Sequence, residues 1–76
     1  MKIELMGKII GAVHHAKKKH PVFASSLDHA TSLALEELGE MAKALNDGDL
    51  KAVKAEALDT IAVLVRIIEW VEREND

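Results

Sequence analysis

Five acidic side chains carry the chemistry this sequence is equipped to do. Glu36, Glu37 and Glu40 lie in the stretch EELGE, and Glu56 and Asp59 lie in EALD. Glu37 and Glu40 are three residues apart, as are Glu56 and Asp59, so on a helix each pair shares a face. Fifteen residues separate Glu40 from Glu56. Carboxylates gathered ~5 Å apart at an effective dielectric near 20 repel by about 3 kcal/mol per pair, and burial adds a desolvation cost. Such a group persists only if some members are protonated or a cation neutralises them. Oxygen ligands with neither thiolate nor imidazole nearby suit Mg²⁺ or Mn²⁺. A Mg²⁺ ion held by a few carboxylates keeps waters, and these exchange for phosphate oxygens.

Three helices are expected to position these acids. The first runs from Lys2 to about Lys18, where Ile3, Met6, Ile10 and Val13 recur at helical spacing with Ile9 alongside. Lys17, Lys18 and Lys19 suit its carboxyl end, and Pro21 prevents continuation. The second opens at Ser25 or Ser26, either a fitting N-cap, and runs to about Leu45. Leu27, Thr31, Ala34, Leu38, Met41 and Leu45 form its main stripe. Asn46, Asp47 and Gly48 stop it, with Gly48 suited to a left-handed C′ position. The third helix begins near Asp49 and runs to about Glu74. Its centre, Ala57 to Ile68, is apolar almost all round and has to be covered on more than one side.

At about 100° per residue, Glu37 lies to one side of the Leu38 stripe, in a second apolar strip with Ala30, Leu33 and Ala44. Glu36 borders the solvated face of His29, Ser32, Lys43 and Asp47. On the third helix Glu56 and Asp59 share a sector with Ala52, Val63, Ile67 and Trp70. Glu37 and Glu40 lie eleven and eight residues before Gly48, and Glu56 and Asp59 lie eight and eleven after it. If the second and third helices pack antiparallel about Gly48, Glu40 faces Glu56 and Glu37 faces Asp59. The expected fold is all-α, with that antiparallel hairpin at its heart.

The chain has 76 residues and a net charge of −3, enough for one domain spanning residues 1–76. The five acids outweigh the net charge, so the remainder is net basic and the acidity is local. That argues against a disordered acidic chain and against a basic nucleic-acid binder. No cysteine is present, which fits a reducing cytoplasm. Lysines follow the first apolar segment instead of preceding it, so no signal peptide is expected. No stretch reaches the ~20 apolar residues of a membrane span.

EELGE followed at this distance by EALD resembles the E-E-x-x-E … E-x-x-D signature of the MazG-like, all-α nucleoside triphosphate pyrophosphohydrolases, over roughly Leu27 to Glu69. The resemblance implies a Mg²⁺-dependent enzyme that cleaves a nucleoside triphosphate between the α and β phosphates, releasing the monophosphate and pyrophosphate. It implies metal ligands at Glu37, Glu40, Glu56 and Asp59, and a ligand or water-orienting role for Glu36. That family is built on four-helix bundles and this chain supplies three helices. The bundle is therefore expected to be completed by another copy, as a homodimer or dimer of dimers. A phosphoribosyl-ATP pyrophosphohydrolase is the alternative enzyme.

Other residues admit blander roles. Arg66, two turns beyond Asp59 on nearly the same line, either binds a phosphate or pairs with Asp59 or Glu69. Lys17 and Lys18 either steer an anionic substrate or cap the first helix. His14, His15, His20 and His29 make no H-E-x-x-H pattern for zinc. Phe23 and Trp70 suit core or interface packing, and either could stack on a base. A di-iron site wants Glu-x-x-His, which is lacking here. A helical dimerisation module is the non-enzymatic rival; stabilisation by Mg²⁺ separates it from the enzyme.

Overall fold

A computed structural model describes residues 1–75. It is all-helical: α1 spans Ile3–Lys19, α2 Leu27–Asn46 and α3 Leu50–Asn75. Local chemistry explains the boundaries. The Ser26 hydroxyl accepts the His29 N–H at 3.0 Å and caps α2. At the other end Gly48 adopts φ 71°. Its N–H donates to the Leu45 carbonyl and the Asp49 N–H to the Ala44 carbonyl, both at 3.0 Å. This pair of bonds is a Schellman motif, which needs a left-handed residue and so favours glycine. Asp49 then accepts the Ala52 N–H at 3.0 Å and caps α3. One tight connection, Asp47 to Asp49, thus ends one helix and starts the next.

Helix α3 packs against both α2 and α1, while α1 and α2 do not pack on one another. The apolar girth of α3 is what this arrangement covers. Close packing comes from small side chains: Ala30, Ala34 and Ala44 on α2, and Thr60 and Ala62 on α3, are buried. The core is thin, and no large side chain is fully buried. Accessible surface is 5715 Å², against about 4,600 Å² for a folded monomer of 8.3 kDa. The radius of gyration is 13.1 Å, against about 11.4 Å for a compact chain of this length.

The main stripe expected on α2 is buried only in part. Its Ala34 and Met41 turn inward with Ala30 and Ala44, whereas Leu27, Thr31, Leu38 and Leu45 stay exposed, Leu38 at 43%. On α1 the outcome is similar: Ile9, Ala12, Val13 and Ala16 turn inward, and Ile3, Met6 and Ile10 are left outside. Alanines let helix axes come close, so the alanine strip wins the contact within the chain. The larger leucines beside it are left uncovered. On the helical wheel of α2 they lie just past one edge of the α3-facing strip, while Glu37 lies within that strip and Glu40 past its other edge. Leu64 and Ile68 of α3 are exposed too, Ile68 at 58%.

Candidate functional site

The contact between α2 and α3 brings Glu37, Glu56 and Asp59 together, with one carboxylate oxygen from each lying within 4.8 Å of the others. Glu37 and Glu56 are half-buried and Asp59 is exposed. One oxygen of Glu37 and one of Glu56 are buried and have no hydrogen-bond partner. A buried acceptor left unmatched costs free energy, so this pair is the most strained polar feature among the described residues. Glu40 is exposed but lies beside Glu56. Glu36 is exposed and outside the three-residue cluster.

The carboxyl groups answer this crowding by holding protons more tightly. Burial first, then the charges of Glu40, Asp59 and Glu36, push Glu37 above the usual glutamate range, while its close approach to Glu56 opposes the rise. Glu56 is raised by burial and by its contact with Glu37. Glu40 is raised chiefly through its close contact with, and charge repulsion from, Glu56. Carboxyls can hydrogen-bond to one another only when one keeps its proton. The fully ionised cluster has only repulsion, which a divalent cation would relieve. The donor set, carboxylate oxygens alone at chelating separation with two of them unmatched, fits a hard cation such as Mg²⁺ or Mn²⁺.

Helix α1 builds the opposite wall. His15, Lys19 and His20 line a cavity of about 160 Å³ together with Glu37 and Asp59. His15 and Lys19 are four residues apart on one face of α1. Their approach to the acids was not legible in the sequence, because it depends on the angle at which α1 returns along α3. Pro21 marks that reversal but not its angle. The cavity continues into one of about 220 Å³, where His20 and Glu37 meet Leu33, Val63, Phe23 and Arg66.

Beyond it lies a larger cavity of about 550 Å³, lined by Lys17, Phe23, Arg66, Glu69, Trp70 and Arg73 among others. Lys17 is held here by an ion pair with Glu69 at 3.0 Å, so Glu69 serves Lys17 and not Arg66. Arg66 makes no ion pair with Asp59 or Glu69 either. Its guanidinium donates to the Ala16 carbonyl at 3.2 Å and lies 4.6 Å from the centre of the Phe23 ring. Phe23 and Trp70 meet edge to face, centroids 6.3 Å apart. Lys18 is exposed. No helix among the described residues is long and apolar enough to cross a membrane.

Compared with known proteins, the chain matches no family model, no curated protein and no solved structure.

Proposed function

We propose that the protein is a Mg²⁺-dependent nucleotide pyrophosphohydrolase of the MazG-like kind, converting a nucleoside triphosphate to its monophosphate and pyrophosphate. One observation carries the reading: two buried, unpartnered carboxylate oxygens, on Glu37 and Glu56, in a cluster with Asp59 where one oxygen from each residue lies within 4.8 Å of the others. A cluster built for solubility would put its oxygens in water. The E-E-x-x-E … E-x-x-D spacing supports the same reading.

Glu37, Glu56 and Asp59, with Glu40 beside them, would hold the cation. When bound, the ion supplies charge neutralisation and polarisation of the phosphoryl oxygens. Glu36, outside the cluster and in solvent, is free to orient the attacking water and take its proton. The water oxygen forms a bond to the α phosphorus, the bond to the bridging oxygen breaks, and pyrophosphate leaves. Lys19 and His15 on the facing wall meet the charge that develops on that leaving group. Lys17 and Lys18 lend positive potential at the same end of α1, and Arg66 binds the substrate further along the groove.

Antiparallel packing of α2 and α3 about Gly48 underlies this register. The leucine and isoleucine side chains left outside support assembly with a second copy, as a homodimer or dimer of dimers that completes a four-helix-type bundle. A cysteine-free chain suits the cytoplasm. The test is a pyrophosphate-release assay over a panel of nucleoside triphosphates, run beside calorimetry with Mg²⁺ and Mn²⁺. Metal-dependent release is expected; no release and no uptake of either metal at millimolar concentration sinks the proposal.

A further inference from the structure

Arg66 is 8% exposed. Buried arginines are ordinarily paired with an acid, yet among the described residues this one has no ion-pair partner. A guanidinium has five N–H donors, and the single hydrogen bond described for it goes to the Ala16 carbonyl. It lines both the cavity that reaches Glu37 and the larger one beside Trp70. Those two cavities also share Phe23, so Arg66 and Phe23 stand between the cavity at Glu37 and the one beside Trp70. Along α3, Arg66 lies seven residues beyond Asp59, about 10 Å in rise. A nucleotide whose α phosphate sits at the carboxylates places its ring system, not its phosphates, at that distance.

We infer that Arg66, Phe23 and Trp70 form the base-reading end of the groove, and that they select a base presenting two adjacent acceptors. This rests on the nucleotide reading of the carboxylate site. The apolar side chains around Arg66 are Phe23, Trp70, Leu33 and Val63, beside the charged Lys17, Glu69 and Arg73 of the larger cavity; the apolar part suits a planar, weakly hydrated ring better than a phosphate. The arginine fork matches two neighbouring acceptors. Guanine offers them at O6 and N7, and cytosine at O2 and N3. Adenine carries its N6 amino donor where guanine has O6, and uracil an N3–H donor where cytosine has N3, so one arm of the fork would face a donor.

The protein carries its own reporter, since Trp70 is the sole tryptophan. The experiment titrates the metal-free chain in EDTA with GMP, CMP, AMP, UMP and inorganic pyrophosphate and follows Trp70 fluorescence. GMP or CMP is expected to bind roughly tenfold or more tightly than AMP and UMP, and which of the two binds identifies the edge. Arg66→Lys should erase the preference with helical circular dichroism unchanged; Phe23→Leu should weaken binding of every base alike. Equal affinity for all four monophosphates, no binding of any, or tighter binding of pyrophosphate overturns the inference. If Arg66→Lys does not fold, the ranking by the unsubstituted chain decides alone. A base preference in EDTA with no metal-dependent turnover removes the enzymatic reading and leaves this one standing. Turnover without base preference does the reverse.

Discussion

Glu37 and Glu56 each keep a buried oxygen without a donor, and this makes the site a liability to the metal-free fold. Replacing Glu37 by Gln supplies an N–H and removes a charge. Glu37→Gln should abolish turnover, by about 10²-fold or more, while raising the melting temperature of the EDTA-treated protein by a few degrees. Loss of activity together with loss of stability would instead mark Glu37 as ordinary core. The raised carboxyls also set a pH dependence. Glu37, Glu40 and Glu56 bind protons more tightly folded than unfolded, so their protonation favours the folded state at low pH. Stability is lost as pH rises from about 4.3, the unfolded glutamate value, through the higher folded values. Thermal melts in EDTA should show this fall, and millimolar Mg²⁺ should flatten or reverse it.

Between α2 and α3 the chain turns over Asp47, Gly48 and Asp49. Gly48 sits at φ 71°, where a Cβ is strained even though nothing crowds it. Gly48→Ala should cost about 1 kcal/mol, a drop of roughly 4–8 °C in melting temperature for a domain this size. Gly39, inside α2 with open space where a Cβ would go, should respond in the opposite sense. Gly39→Ala gains helix propensity worth up to about 1 kcal/mol. Equal effects of the two substitutions would show that the left-handed turn is not what holds the hairpin. Ser26→Ala removes the α2 cap and should cost about 1 kcal/mol, read in the same melts.

As a whole, the molecule exposes about 1,100 Å² more than a folded monomer of its mass would. A standard interface takes about 800 Å² from each partner, so one shared face absorbs most of the excess but not all of it. Sedimentation equilibrium should therefore find a dimer or tetramer at micromolar concentration. Leu38→Glu and Ile68→Glu, on the side of α2 and α3 away from the carboxylates, should shift it to monomer and lower the melting temperature. A monomer in the unsubstituted chain removes the assembly from the proposal without touching the metal test. If the carboxylates hold a cation as proposed, an ion present at a hundred times its dissociation constant would stabilise the fold by about 2.7 kcal/mol.

Much of this was legible in the residues themselves. Helical periodicity, Pro21, Ser26, Gly48 and Asp49 decide where helices start and stop, because caps and left-handed turns depend on neighbours in sequence. The symmetric spacing of the acid pairs about Gly48 points to a meeting only if α2 and α3 pack antiparallel; of the four acids, Glu37, Glu56 and Asp59 form the cluster. Which apolar strip would be buried was not legible: alanine and leucine strips both satisfy helical periodicity, and only close packing against α3 chose the alanines. The partner of Glu69, the contact of Arg66 with Phe23, and the approach of His15 and Lys19 to the acids were likewise decided in three dimensions. They depend on the angle at which α1 crosses α3, and no spacing within one helix encodes an angle between two.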